Sequence, residues 1–76
     1  MEEKLKKIMS DIFGIELNEI SENSSPDNIQ KWDSLGHLNL ITSIEEEFGI
    51  TIDEDQMIQM LNFKLVLVVI KECLKN

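Results

Sequence analysis

Residues 32–48, Trp32-Asp33-Ser34-Leu35-Gly36-His37-Leu38-Asn39-Leu40-Ile41-Thr42-Ser43-Ile44-Glu45-Glu46-Glu47-Phe48, read as an amphipathic helix entered through a capping residue. Leu38, Ile41, Ile44 and Phe48 recur at spacings of three and four, with Leu40 beside them. One stripe is therefore predicted to face a core while Asn39, Thr42, Glu45 and Glu46 face out. Asp33 is the expected N-cap, its carboxylate accepting from a free backbone N–H of the first turn. Gly49 is the expected C-terminal cap. This places Ser34 at the first helical position, exposed beside the positive end of the helix dipole. A hydroxyl there has two readings, a second capping group or an attachment point for a phosphate. Helix N–H groups and the dipole favour an anion at such a position by about 0.3–1 kcal/mol.

The flanking sequence supplies further helices. From Glu2 to Phe13, Leu5, Ile8, Met9 and Ile12 form one apolar stripe with Lys4, Lys7 and Asp11 opposite, and Gly14 ends the segment. Gly14 to Asp33 is a long connection, predicted to be pinned by Ile15, Leu17, Ile20 and Ile29. Its Ser21–Asp27 stretch carries turn chemistry and is expected to hold a brief helical turn. Trp32 is expected to pack over this loop against the second helix, with a docking surface as the alternative. Ile50-Thr51-Ile52 alternates like a strand but has no second strand to pair with, so it reads as a loop. Asp53-Glu54-Asp55 lacks the alternating ligands, central glycine and distant glutamate of a calcium loop, and reads as a solvated helix start. A short helix through Met57 and Met60 follows, and Asn62 caps the next one. Val66, Val68, Val69 and Ile70 have strand propensity, but with no partner strand Phe63–Leu74 is predicted helical. Its inner face would be Phe63, Val66, Leu67, Ile70, Cys73 and Leu74, leaving Leu65 and Val68 outside. The expected fold is all-α, a small antiparallel four-helix bundle with a long first loop and a short third helix, forming one domain over residues 1–76.

Composition narrows the function. The chain has fifteen acidic and seven basic residues, a net charge of −8. Between Asp11 and Asp55 twelve acidic residues face Lys31 alone, a local balance of −11. Nucleic acid, which is bound by neutralising phosphates with Lys and Arg, is excluded as a partner. Proteins with basic docking surfaces suit such a field. Cys73 is the single cysteine, which rules out an internal disulfide and reads as a small core residue, and no Cys/His cluster implies a metal. The N-terminus shows no signal peptide and the longest apolar run, Leu65 to Ile70, is too short to span a bilayer. A soluble, monomeric cytoplasmic protein without membrane insertion is expected. The one histidine, His37, lies a turn after Ser34 with no third group spaced to orient it as a base, so an enzyme is not expected.

Asp33-Ser34-Leu35 followed by an apolar helix ending Glu45-Glu46-Glu47-Phe48-Gly49-Ile50 resembles the phosphopantetheine attachment region of acyl carrier proteins. Ile15-Glu16-Leu17-Asn18-Glu19-Ile20 is similar to that family's first-loop segment, and Ile52-Asp53 through Met60 to its short third helix. Met60, Phe63, Leu67 and Ile70 fall where the family places core residues. The resemblance implies that a separate phosphopantetheinyl transferase esterifies Ser34 Oγ with 4'-phosphopantetheine. It also implies that acyl or aminoacyl groups are then held as thioesters on the arm for loading and transfer enzymes. Asp33 would orient the helix start during modification, Leu35 would seat in the transferase, and His37 would lie exposed, able to contact the prosthetic phosphate or a partner. Leu35, Leu38, Asn39, Glu45 and Glu46 would form the docking face. An apolar cargo could be sheltered among Leu38, Ile41, Ile44 and Met57.

Two positions depart from the pattern of fatty-acid carriers, which place acidic residues where this chain has Gly36 and Asn39. Gly36, costing about 1 kcal/mol inside a helix relative to Ala, is expected to let a partner's backbone approach Ser34. Partners that read acidic residues at these positions should bind less well. The run Ser25-Pro26-Asp27-Asn28-Ile29-Gln30-Lys31-Trp32-Asp33-Ser34-Leu35-Gly36-His37 looks like free-standing carriers of specialised pathways, such as amino-acid, glyceryl or short-acyl transfer in glycan or secondary-metabolite synthesis; a role in fatty-acid biosynthesis stays open. The alternative from another class is an unmodified acidic helical adaptor that binds a basic protein through its second helix.

Overall fold

The computed structural model describes residues 1–75 and contains four α-helices and one short 3-10 turn. They are α1 (Glu2–Phe13), the turn Leu17–Glu19, α2 (Ser34–Phe48), α3 (Glu54–Gln59) and α4 (Phe63–Leu74). No strand occurs among the described residues, and none of their helices is long and apolar enough to cross a membrane. α1 packs along α2, and α3 lies against α4, within a body of 31 × 22 × 19 Å.

Each helix starts and stops for local reasons. Asp33, Asp53 and Asn62 cap α2, α3 and α4 by accepting backbone N–H bonds from Gly36, Gln56 and Leu65, each at 2.8 Å. At α3 the bond is reciprocal, because the Gln56 side chain accepts from the Asp53 N–H at 3.0 Å. α1 and α2 end at Gly14 and Gly49, whose φ values of 66° and 65° lie in the left-handed region that a side chain disfavours.

The core gathers Leu5, Met9 and Phe13 from α1, Leu40, Ile41 and Ile44 from α2, and Phe63, Val66, Leu67, Val69 and Ile70 from α4. Ile20, Ile29, Trp32, Ile52 and Met60 join it from the connections. The long first connection is pinned as expected, although by a different set of groups. Ile20, Ile29 and Trp32 are buried, whereas Leu17 is half exposed on the outside of the 3-10 turn. The helical turn also falls at Leu17–Glu19 rather than within Ser21–Asp27, which forms hydrogen-bonded turns instead. Here Ser24 is buried, its Oγ accepting from the Ser21 N–H and its carbonyl accepting from the Phe63 N–H at 2.8 Å, which fastens the loop to the start of α4.

Two helix faces are rotated from their expected positions. On α2 the buried stripe is Gly36, Leu40, Ile41 and Ile44, and Leu38 is 55% exposed. On α4 Val69 is buried and Leu74 is exposed, while Leu65 and Val68 lie outside as expected. In both helices a run of adjacent apolar residues allows more than one stripe, and the packing against α1 and the loop selects among them.

Candidate functional site

Ser34 opens α2 at the rim of a groove of about 710 Å3. α2 and the residues before it contribute Trp32, Asp33, Ser34, His37 and Leu38, and the opposite wall is Met57, Ile58, Met60 and Leu61, with Pro26 of the loop at one side. The groove is open to solvent, and Ser34, Leu35 and Leu38 are all exposed.

The local sequence explains why Ser34 is presented. Asp33 is extended, and its Oδ1 accepts the Gly36 N–H while its carbonyl accepts the His37 N–H at 2.8 Å. The N–H groups of Ser34 and Leu35 precede the first intrahelical donor, the His37 N–H, so they have no carbonyl partner within the helix and remain free beside the hydroxyl. An anion attached to Ser34 Oγ would meet these donors and the dipole of a fifteen-residue helix. The donor set and the adjoining apolar groove thus fit a phosphate-linked arm.

Behind the serine lies a row of aromatic rings. Trp32 is 1% exposed and stacks on Phe13 with centroids 5.5 Å apart, and the His37 ring lies nearly coplanar with the indole, the planes 18° apart and the centroids 6.2 Å apart. The Trp32 Nε1–H donates to His37 Nδ1 at 2.9 Å, and His37 Nε2 lies 3.0 Å from the Met57 carbonyl oxygen. The expectation of an exposed His37 is corrected by this geometry, because the ring is half-buried in the groove wall and both its nitrogens are engaged, by Trp32 and Met57. Trp32 is likewise a core residue and no docking surface.

Gly36 also differs from its expected role. It is buried, and a Cβ there would collide with the Lys31 carbonyl oxygen and press on the Phe13 ring at 3.2 Å. The glycine therefore admits the chain's own loop backbone, and a partner has no access to it. The proposed shelter for cargo needs a similar correction. Ile41 and Ile44 are sealed in the core, while Leu38 and Met57 line the groove together with Ile58 and Leu61. The sequence reading overlooked those last two. The signal was present in Met57-Ile58 and Met60-Leu61, since a six-residue helix cannot bury apolar side chains on both sides.

Along the rest of α2, Asn39 and Glu46 are exposed. Glu45 is half buried, its carboxylate accepting the Ile52 N–H at 2.8 Å, so it holds the α2–α3 connection. Glu47 pairs with Lys4 at 3.4 Å, an exposed ion pair worth about 0–1 kcal/mol.

Comparison with known proteins agrees with this geometry. The family model described as "Phosphopantetheine attachment site" matches residues 3–63. An acyl carrier protein of Nitratidesulfovibrio vulgaris (strain DP4) is 39% identical over 64 residues, covering 84% of each chain. The polyketide-8 synthase acyl carrier protein 1 of Streptomyces avermitilis is 30% identical over 74 residues, covering 97% of this chain and 88% of the relative. A solution structure of a holo acyl carrier protein from Geobacter metallireducens superposes with a TM-score of 0.87 at 24% identity, over 97% of this chain and 85% of that one.

Proposed function

Because the chain belongs to the acyl carrier protein family, matched from residue 3 to residue 63, we propose that Ser34 is the hydroxyl through which it carries its phosphopantetheine arm. The protein is a carrier and not an enzyme. Its arm supplies a flexible tether ending in a thiol, on which an acyl group is held as a thioester. The chain's own residues present and recognise. Asp33 fixes the start of α2, leaving Ser34 exposed, and the Ser34 and Leu35 N–H groups stabilise the phosphate. Leu35 offers an apolar contact to the modifying phosphopantetheinyl transferase. Leu38, Ile58 and Leu61 give the proximal part of the arm or a short cargo an apolar wall. The observation that carries this reading is the exposed first-turn Ser34 at the rim of the groove, inside the matched region.

Acyl- or aminoacyl-loading and transfer enzymes with basic surfaces would dock on the outer face of α2, on Leu35, Leu38, Asn39 and Glu46, with Glu45 contributing less because its carboxylate is engaged. With Gly36 and Asn39 at the two positions where fatty-acid carriers are acidic, the first turns of α2 carry no carboxylate after Asp33, which favours enzymes of a specialised pathway over those that read two acidic positions there. The polyketide-synthase relative is in keeping with that preference. We further assign residues 1–76 to one monomeric carrier domain working in the cytoplasm.

The test is intact mass after incubation with coenzyme A and a broad-specificity phosphopantetheinyl transferase. One phosphopantetheine is expected on the parent and none on Ser34→Ala. A folded parent that stays unmodified with several transferases, or an equally modified Ser34→Ala, would overturn the assignment and favour the acidic adaptor.

A further inference from the structure

The link from Trp32 through His37 to Met57 has a direction that its donors impose. An indole N–H can only donate, so His37 Nδ1 must be the unprotonated, accepting nitrogen. Nε2 then carries the proton and donates to the Met57 carbonyl, which can only accept. The imidazole is thus fixed as one neutral tautomer by partners at both ends, with its plane within 18° of the indole that bonds it. Its two partners belong to different parts of the fold. Trp32 is fully packed against Phe13 of α1, whereas Met57 lies in α3, where no residue of Glu54–Gln59 is buried. A six-residue helix has little stability of its own. α3 therefore depends on its cap at Asp53 and on attachments such as this one.

We infer that His37 is a positioning residue, anchored on Trp32, that holds α3 through the Met57 carbonyl and so fixes the Ile58–Leu61 wall of the groove relative to Ser34. Its consequence for a carried group rests on the assignment of Ser34 above; the tether itself does not. Removing the tether would let that wall move without disturbing the α1–α2–α4 core.

Two substitutions separate the halves of the link. The side chain of His37→Asn reaches about as far as Nδ1, so it can still accept from Trp32 but not touch Met57. That of His37→Gln reaches about as far as Nε2, so it can donate to Met57. The experiment is NMR of the unmodified protein, which does not depend on attachment at Ser34. The parent should show a slowly exchanging His37 Hε2 and the imidazole nitrogen shifts of the Nε2-protonated tautomer. His37→Asn should speed amide exchange in α3 by up to about tenfold, the equivalent of one hydrogen bond, and weaken methyl contacts between Leu38 and Ile58 or Leu61. Exchange in α1 and α4 should stay as in the parent, and His37→Gln should restore α3. Unchanged α3 exchange in His37→Asn, an Nδ1-protonated ring in the parent, or acceleration shared equally by α1 and α4 would each overturn the tether. With an octanoyl group loaded on the arm, contacts of the chain with Ile58 and Leu61 should be lost in His37→Asn and kept in His37→Gln. Equal contacts in both would overturn the tether's role for cargo while leaving attachment at Ser34 intact.

Discussion

α2 and α3 face each other across one groove, yet different forces hold them. α2 buries Leu40, Ile41 and Ile44 against the core and is closed at both ends by Asp33 and Gly49. α3 has no fully buried residue between Glu54 and Gln59 and is held by a capping box, by the His37–Met57 link, by half-buried Met57 against the core and by Met60 just past its end. The wall that bears Ser34 is thus secured by apolar packing, whose loss costs several kcal/mol. The opposite wall has apolar anchors only in Met60 and half-buried Met57 and relies for the rest on hydrogen bonds worth about 0.5–1.5 kcal/mol each. For attachment at Ser34 as proposed, this asymmetry sets a firmly held attachment point beside a less firmly held groove wall.

The contrast can be broken most severely at Trp32. Replacing it with Ala should cost about 3–5 kcal/mol, a large share of the roughly 4–11 kcal/mol expected for a chain of this length. Urea denaturation followed by far-UV circular dichroism should find Trp32→Ala largely unfolded or with a much lower midpoint. Leu40 and Leu38 of α2 sharpen the same point. Leu40→Ala should lose about 2–5 kcal/mol and Leu38→Ala less than about 0.5 kcal/mol, because only the first empties a packed site. Equal midpoints for these two variants would contradict the assigned face. Gly36→Ala should destabilise by about 1–3 kcal/mol despite the better helix propensity of alanine, since its Cβ has no room against the Lys31 carbonyl. A gain in melting temperature would show that the loop yields. At the weakly held wall, Asp53→Ala should cost about 0.5–2 kcal/mol, with amide exchange raised in α3 and little changed in α1. The smallest effect concerns charge. Salt should raise the melting temperature by screening the acidic stretch from Asp11 to Asp55, and a flat salt titration would show the acids to be too dispersed to repel.

The elements that could be read from sequence are those governed by local chemistry. The capping residues Asp33 and Asn62 and the stops at Gly14 and Gly49 have causes within a turn of their own position, and all four stand where the sequence puts them, while the helix start read at Asp53-Glu54-Asp55 is made by an Asp53 cap that was not foreseen. Helix in place of strand at Phe63–Leu74 followed from the lack of any pairing partner. The errors are tertiary. Leu38 and Leu74 belong to stripes that satisfy helical periodicity as well as the true ones do, and only contact with α1 and the loop decides between them. Gly36 was read as a gap for a partner because the Lys31 carbonyl that fills it comes from a loop whose path no periodicity encodes. His37 was read as exposed because its partners, the Trp32 indole and the Met57 carbonyl, lie five and twenty residues away. Backbone acceptors of that kind leave no trace in side-chain identity. The exposed place of Ser34 at the first turn of α2 was legible from its position and flanking pattern, both local.

The measurement we would put first is fragmentation mass spectrometry of the protein after treatment with coenzyme A and a phosphopantetheinyl transferase, resolving which hydroxyl carries the arm. Ser21, Ser24, Ser25, Thr42 and Ser43 flank the site at distances that peptide fragments can separate. The arm is expected on Ser34 alone, since it has the exposed first-turn position beside free N–H donors. Phosphopantetheine on any other hydroxyl, or on none of a folded sample, would contradict the assignment of the start of α2 as the carrier site.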